Sequence, residues 1–267
     1  MPLDDHRDER SYSGAPPAGP WGASTPEPPA QPPLARRGAG NKWRQSSSIL
    51  FFVLIVLLTG ARGYKDLSRP EAWAYWKDLY FSPSLTVSRI ASVDPDGSGH
   101  PRPAMAVSGT IGAAAASWFR DRLDEAHLGK GDVVLLSSPG GDLDQAIIIG
   151  EIIRSRGLAT AVGNIDRSEH IQPSYCASAC VFAYAGGSIR IGIEGSMLGV
   201  HRFVTTASGP DPVAETQRTA GVVLNYLTRM GVSSAVAEAM SATDKVRWLD
   251  TREAAAMNLV TDPVRRR

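Results

Sequence analysis

The feature that most constrains this chain is a run of seventeen uncharged residues between Arg44 and Arg62, whose centre, Ile49 to Leu58, is wholly apolar. A helix of this length spans roughly 25 Å, the short end of what is needed to cross a membrane. A helix buried in a globular core rarely carries charges at both ends behind a polar tail. The sequence therefore predicts a transmembrane anchor over residues 44–62.

The charges before this segment predict its orientation. Four basic residues precede the apolar run, namely Arg36, Arg37, Lys42 and Arg44. The positive-inside rule keeps such a flank in the cytoplasm, so we expect a single-pass protein whose carboxy-terminal bulk faces the periplasm or the exterior. A cleaved signal peptide is the alternative. It is disfavoured because Thr59-Gly60-Ala61 is a poor cleavage sequence and the preceding tail is long for a signal.

Residues 1–43 differ in composition from the rest of the chain. They are rich in proline, glycine, alanine and charge, and they nearly lack aliphatic side chains. Such a segment cannot bury enough apolar surface to offset the entropy of ordering, so we expect a disordered tail. Recognition as a proline-rich ligand is the functional alternative to a solvated tail.

A linker over residues 63–84 is expected to contain a short helix. Within SRPEAWAYWKDLYF, Trp73, Trp76 and Tyr80 share one helical face. Aromatic side chains just outside a membrane span often lie at the level of the lipid headgroups. The same face could instead pack on the soluble domain, and the sequence leaves both options open.

Residues 85–267 show the alternation of an α/β domain. Apolar runs bounded by turn residues, such as DVVLLSS and LATAVG, predict strands buried on both faces of a sheet. They alternate with amphipathic helices such as LDQAIIIGEIIRSRG, which Gly157 ends. The pattern predicts an α/β domain with a mainly parallel sheet. A later long helix, which Gly231 ends, is expected to carry Ala220, Val223, Leu224, Leu227 and Met230 on one side.

Composition argues against several classes of function. The net charge is +1, from 28 basic and 27 acidic side chains, so no electrostatic feature favours nucleic acid as a partner. Two cysteines are too few for a disulfide scaffold or a four-cysteine zinc site. His6, His100, His127 and His170 have no ligand pattern around them. We therefore expect neither a metal ion nor a cofactor.

Two glycines stand in a turn that could hold an anion. The segment SSPGGD, residues 137–142, follows a predicted buried strand and opens a helix. Free backbone N–H groups at such a place suit an oxyanion hole, because the glycines allow close approach. Phosphate binding would need the GxxxxGK[ST] spacing and its lysine, which are absent from this segment. An ordinary turn is the simpler alternative.

Ser178 and His201 form a candidate nucleophile and base. Ser178 lies at the predicted start of a helix in CASACVFAYAGG, where the helix dipole favours an alkoxide. His201 follows a predicted strand in GSMLGVHRF, and a neutral imidazole can act as general base. A histidine base also predicts activity that rises with pH. By themselves, however, a serine and a histidine on neighbouring elements are more often a structural pair.

Cys176 and Cys180 flank the candidate nucleophile. Their offsets point away from the face of Ser178, which disfavours a cysteine nucleophile. As an i, i+4 pair on one helix they would be near the upper limit of Cα separation for a disulfide. We therefore expect two small buried apolar residues. A disulfide that braces the turn is the alternative, since thiols beyond a bacterial-type membrane tend to be oxidised.

Four blocks together resemble the Clp-type proteolytic-subunit family of the wider Clp/crotonase fold. They are SSPGGDLDQAIIIGEII, YCASACVFAYAGG, GSMLGVHRF and WLDTREAAAMNLV, in family order, and the resemblance covers roughly Met105 to Val264. It implies a spiral of ββα units and self-association into a homo-oligomer. The helix from Asp211 to Met230 occupies the place of the family's handle helix.

The resemblance also implies roles for particular residues. Ser178 would be the nucleophile and His201 its base. The N–H groups of Gly141 and Ala179 would form the oxyanion hole, and Gly140 with Gly141 would bind the substrate, a peptide or protein. The expected function is thus a membrane-anchored serine peptidase that works through an acyl-enzyme.

The third catalytic position departs from the family pattern. A gapless match puts Val246 where the family has an aspartate that orients the histidine. Asp244 lies two residues before that position and Asp250 lies after the strand. Asp244 is the predicted third member. Asp250, a Ser-His dyad without a carboxylate, and an inactive site are the alternatives.

Two other functions remain open at this point. One is a non-catalytic Clp-like domain that binds peptides or serves as a scaffold. The other is a crotonase-like enzyme acting on acyl thioesters, which is disfavoured because it gives Ser178 and His201 no role and because acyl-CoA is not expected beyond the membrane.

Overall fold

The computed structural model describes residues 41–81, 83–168, 170–202 and 211–263. The predicted disordered tail lies outside the described residues as far as position 40, and so does His6. The chain divides into two compact units, one ending at Leu57 and one beginning at Leu58. Within its described part, the first unit consists of the opening portion of helix α1.

Helix α1 runs from Asn41 to Leu67. Its apolar stretch from Ile49 to Leu58 is exposed, because each side chain there leaves 45–71% of its surface uncovered. Among the described residues, α1 alone is long and apolar enough to cross a membrane, over Ser47–Leu67. Two shorter elements follow: helix α2 (Pro70–Trp76) and a π-helical turn (Lys77–Phe81).

The remaining described residues form an α/β domain. Its strands are β1 (Leu85–Val93), β2 (Arg102–Gly109), β3 (Val133–Ser137), β4 (Ala159–Val162), β5 (Asn164–Ile165), β6 (Ile171–Gln172), β7 (Tyr175–Ala177), β8 (Arg190–Gly192), β9 (Met197–Val200), β10 (Arg247–Leu249) and β11 (Asp262–Pro263). Its helices are α3 (Ala115–Ala126), α4 (Leu143–Ser155), α5 (Cys180–Ala185), α6 (Pro212–Arg229), α7 (Ala235–Ser241) and α8 (Thr251–Ala256).

The main sheet has six strands in the order β1-β2-β3-β4-β8-β11. Only β1 and β2 pair antiparallel in it, and every other neighbouring pair is parallel. A smaller sheet has the order β10-β9-β7, and β5 pairs with β6. An isolated bridge between Ser138 and Cys176 joins the end of β3 to β7. The predicted α/β domain with a mainly parallel sheet is confirmed.

Strand β3 shows why its sequence is apolar throughout. Val134 and Leu136 face a core that includes residues of α3, α4 and α5, whereas Val133 and Leu135 face a second apolar cluster. Parallel strands covered on both faces need side chains of this kind at every position. Apolar and polar residues therefore do not alternate along β3, and its sequence does not show which side chains face which of the two clusters.

Helix ends follow the sequence closely, but one helical face does not. Gly157 and Gly231 adopt left-handed φ values of 65° and 71°, which lets them end α4 and α6. On the predicted side of α6, Val223, Leu227 and Met230 are buried, and so is Tyr226. Ala220 and Leu224 on the same side are exposed. The first eleven residues of α6, 212–222, bury no side chain, so this helix begins to contact the core at Val223.

Candidate active site

Ser178 occupies a sharp turn between a strand and a helix. Strand β7 ends at Ala177, helix α5 begins at Cys180, and Ser178 between them has a φ of +56°. Residues other than glycine adopt the left-handed region of φ at an energetic cost, and residues strained in this way cluster at functional sites. Ser178 is partly exposed, while its neighbours Ala177 and Ala179 are buried. The turn therefore presents the Ser178 hydroxyl at the surface of a closely packed segment.

The Pro-Gly-Gly turn packs directly against this serine. A Cβ atom on Gly140 would lie 2.7 Å from Ser178 Cβ and 2.6 Å from Ala177 O. A Cβ atom on Gly141 would lie 2.2 Å from Ile111 O. Both glycines also have positive φ values, 101° and 138°. The segment is thus more than an ordinary turn, because only glycine fits at either position.

Two backbone N–H groups next to Ser178 have no acceptor among the described residues, those of Gly141 and Ala179. The hydrogen bonds around Gly141 explain why its amide is free. The Ile111 amide donates to Gly140 O and the Asp142 amide donates to Ile111 O, each at 2.8 Å. This parallel bridge is made by the residues before and after Gly141, so the Gly141 amide takes no part in it. The two groups fit the predicted oxyanion hole chemically, and their role stays a prediction.

Strand pairing brings His201 to Ser178. Strands β7 and β9 run parallel with Ala177 opposite Gly199, and the Ser178 amide donates to Gly199 O at 2.7 Å. His201 follows β9 directly, so the pairing places it near Ser178 in space although the two residues are far apart in sequence. Within the described part of the chain, the Ser178 hydroxyl has no hydrogen bond to His201 or to any other residue.

The imidazole of His201 is oriented by the main chain. Its Nδ1 lies 2.7 Å from the carbonyl oxygen of Arg202. A carbonyl can only accept, so Nδ1 carries the hydrogen and Nε2 is the unprotonated nitrogen of the neutral ring. The carbonyl of Arg202 therefore sets the tautomer that a general base requires. Sequence inspection could not identify this partner, because every residue carries the same group.

Neither candidate carboxylate is hydrogen-bonded to the ring. Asp250 accepts a hydrogen bond from the Glu253 amide at 2.8 Å and caps helix α8. Asp244 is exposed, and its carboxylate has no hydrogen-bond partner within the ranges that the structure covers. The adjacent backbone lies beside Arg202, whose amide donates to Thr243 O at 3.0 Å. A role for Asp244 stays a prediction.

Val246 lies next to His201, where a carboxylate could bind the imidazole. The antiparallel pairing of Arg247 with Val200 continues to place Val246 opposite His201. Its Cγ1 atom lies 2.8 Å from where a Cβ atom of Gly199 would be, on the face that Gly199 and His201 share. The gapless sequence match thus corresponds to a real position next to the histidine, filled by an apolar side chain.

Cys176 and Cys180 form a disulfide across the serine turn. The preferred expectation of two small buried residues without a bond was wrong, and the alternative of a disulfide is the one present. Both residues are fully buried, and their Cα atoms are 5.3 Å apart. The expectation assumed one helix through both residues. In the structure Cys176 belongs to strand β7, and the left-handed turn at Ser178 brings it toward the first residue of α5.

Helix α5, which follows the serine, is held by buried tyrosines. The Tyr226 hydroxyl donates to Phe182 O at 2.7 Å, and the Tyr184 hydroxyl donates to Ile191 O at 3.1 Å. Burial raises the pKa of both phenols, so both remain protonated donors at neutral pH. Gly186 packs on Gly150 of α4, where a Cβ atom on Gly186 would lie 2.2 Å from Gly150 O.

An exposed apolar face of the small sheet borders the site, and sequence reasoning missed it. It consists of Tyr175, Met197, Val246 and Trp248, each 40–44% exposed. The rings of Tyr175 and Trp248 meet edge to face with centroids 5.9 Å apart. The signal was the alternation in MLGVH, which puts Met197, Gly199 and His201 on one side of β9.

No family model matches this chain, and no curated protein matches its sequence. Among solved structures, ClpP1 from Listeria monocytogenes is similar at 17% identity and a TM-score of 0.47, over 61% of this chain and 92% of that one. The 1510-N membrane-bound stomatin-specific protease in complex with a substrate peptide is similar at 18% identity and a TM-score of 0.48, over 61% and 74%. ClpP1 is a Clp-type proteolytic subunit, the kind that the sequence blocks resemble. At these identities and scores the similarity assigns no activity to this chain.

Proposed function

We propose that this protein is a membrane-anchored serine peptidase in which Ser178 is the nucleophile and His201 the general base. One observation carries the proposal. The Pro-Gly-Gly turn packs on Ser178 so closely that Gly140 cannot carry a side chain, and it leaves the N–H groups of Gly141 and Ala179 without an acceptor among the described residues beside the hydroxyl. A purely structural serine would need neither the strained φ nor the free amides.

The chemistry follows from these groups. Nε2 of His201 takes the Ser178 hydroxyl proton as Oγ attacks the peptide carbonyl carbon. The resulting oxyanion accepts hydrogen bonds from Gly141 and Ala179. His201 then gives the proton to the leaving amine, and the C–N bond breaks to leave an acyl-enzyme ester. Water, deprotonated by His201, hydrolyses the ester and restores Ser178.

Location and assembly belong to the same proposal. The apolar stretch of α1 anchors the chain in a membrane, and the basic residues before it favour a catalytic domain on the periplasmic or extracellular side. The protein forms a homo-oligomer. Support for self-association comes from α6, which exposes Val213, Val222 and Leu224.

A fluorophosphonate probe, which reacts with activated serines, tests the proposal on the full chain in detergent or nanodiscs. Wild type is expected to be labelled and to cleave a denatured protein substrate. Ser178→Ala is expected to lose both. Ser155→Ala is the matched control, because the Ser155 hydroxyl only donates to Ile152 O on the surface of α4, and it should behave as wild type.

One observation favours a second function, a non-catalytic Clp-like domain that binds peptides. Neither Asp244 nor Asp250 is hydrogen-bonded to His201, and the loss of an orienting carboxylate can cost orders of magnitude in rate. If the folded wild-type chain takes no label between about pH 6 and 9, where a histidine base changes charge, the peptidase proposal is wrong. Retained peptide binding by that unlabelled chain would then support the scaffold.

A further inference from the structure

The linker between α1 and the α/β domain has two distinct faces. Ala72, Tyr75, Asp78 and Leu79 are partly buried and recur at helical spacing. The other face exposes four large aromatic side chains: Trp73 (61%), Trp76 (40%), Tyr80 (65%) and Phe81 (74%). The sequence left open whether these aromatic side chains pack on the domain, and the structure leaves them exposed.

The buried face clamps the linker onto helix α3. Asp78 accepts hydrogen bonds from the Ser84 amide at 3.0 Å and from the Ala114 amide at 2.9 Å. Ala114 occupies the N-cap position of α3, so Asp78 binds the backbone at the start of this helix from outside it. The Tyr75 hydroxyl also lies 3.2 Å from Ser117 Oγ. The linker is thus fixed to the catalytic domain.

The exposed face is an ordered apolar surface. The rings of Trp76 and Tyr80 stack with centroids 5.3 Å apart, and Trp73 lies 6.3 Å from Phe81. The hydrogen bonds to α3 described above come from the partly buried residues Tyr75 and Asp78. We call the four exposed aromatic residues the aromatic face.

We propose that the aromatic face lies in the headgroup layer of the same bilayer that α1 crosses. Continuity of the chain identifies this occupant, because Trp73 follows the end of the candidate span at Leu67 by only six residues. Tryptophan and tyrosine prefer this layer, since their rings are apolar and their N–H and O–H groups are polar. The inference rests on the proposed membrane anchorage.

The hydrogen bonds between the linker and α3 give the contact with lipid a consequence for function. Because Asp78 and Tyr75 fix the linker to α3, seating the aromatic face on lipid sets the orientation of the catalytic domain relative to the membrane surface. Substrates would then reach Ser178 from a defined direction instead of through a freely tumbling domain.

Photoreactive phospholipids test the proposal on the full wild-type chain. The chain is placed in nanodiscs of phosphatidylcholine and phosphatidylglycerol that contain a phospholipid with a diazirine near the headgroup, and adducts are mapped by mass spectrometry. Adducts are expected within residues 73–81. Trp248, also an exposed aromatic at 42%, lies on the domain and serves as the internal control without adducts.

Each other outcome has its own meaning. Adducts in α1 but none in residues 73–81 would overturn the seat of the aromatic face and leave the anchorage intact. Adducts in neither segment would overturn the anchorage itself. Cross-links from residues 73–81 to a second copy, without lipid adducts, would assign the face to an oligomer interface. A Trp73→Ser/Trp76→Ser variant should lose the adducts at 73–81 and keep those in α1.

Discussion

The two halves of the candidate site are built differently. The nucleophile half has a left-handed serine, two glycines that admit no side chain and a buried disulfide across the turn. The base half has His201 next to a partly exposed apolar face, with its ring oriented by the single carbonyl of Arg202. One half is fixed by covalent and steric constraints, the other by one hydrogen bond.

The two halves should differ in how well they tolerate substitutions. A steric constraint is sensitive to one added methyl group, because the neighbouring backbone atoms have to shift and overpacking typically costs about 1–3 kcal/mol. A hydrogen bond to a main-chain carbonyl has no side chain that a substitution can remove. We therefore expect small substitutions in the nucleophile half to lower activity and stability strongly, and substitutions in the base half to be able to raise activity.

The largest effect is expected for Gly140→Ala. The added Cβ would meet Ala177 O and Ser178 Cβ at 2.6 and 2.7 Å, so the Ser178 turn must shift. We expect activity to fall by about a hundredfold, comparable to the loss of an oxyanion donor, and stability to fall by about 2 kcal/mol. Rates of fluorophosphonate labelling and thermal unfolding measure the two effects.

Gly131→Ala is the matched control for backbone strain. Gly131 also has a positive φ, 89°, but nothing lies within 4 Å of its Cβ position. It should lose about 1 kcal/mol of stability and keep its labelling rate. If Gly140→Ala were labelled as fast as Gly131→Ala, the close contact between the glycine turn and Ser178 would not matter for reactivity.

Removing the disulfide should have an intermediate effect. Cys176→Ala/Cys180→Ala opens a loop of five residues, and the chain-entropy relation assigns roughly 2 kcal/mol to such a bridge. The Ser178 turn then loses its covalent brace, so labelling should slow as well. Unfolding in urea and the labelling rate are the measurements. Equal stability of the double variant and wild type would remove the disulfide from the nucleophile half.

The smallest effects are expected in the base half. Val246→Asp puts a carboxylate opposite His201 at a position that is 40% exposed and can hold a charge. We expect labelling to accelerate by roughly tenfold, because a carboxylate stabilises the imidazolium that forms. Val246→Asn is the isosteric control and should give no gain.

Asp244→Asn decides the remaining question about the triad. With Arg202 O at Nδ1, the geometry predicts a change in labelling of less than about twofold. A loss of several hundredfold would instead show that Asp244 orients His201 in the working enzyme. The base half would then resemble the nucleophile half in depending on a particular side chain.

Much of the fold was predictable because it follows local rules. The apolar runs at β3 and β4 and the glycines that end α4 and α6 gave the α/β alternation. The exposed start of α6 was not predictable, because a helical pattern does not say how far the core extends. The short strands β7 and β8 were also missed, because three residues do not establish a period.

The α/β class, the apolar helix and the short list that holds Ser178, His201 and the two glycines could be inferred from the amino-acid sequence. Those features depend on side-chain type and spacing along the chain. The three-dimensional fold was needed to show that Cys176 and Cys180 are bonded, that the Arg202 carbonyl orients His201, and that the aromatic face is exposed. Each of these depends on a backbone turn or on a contact between distant segments, which residue order does not encode locally.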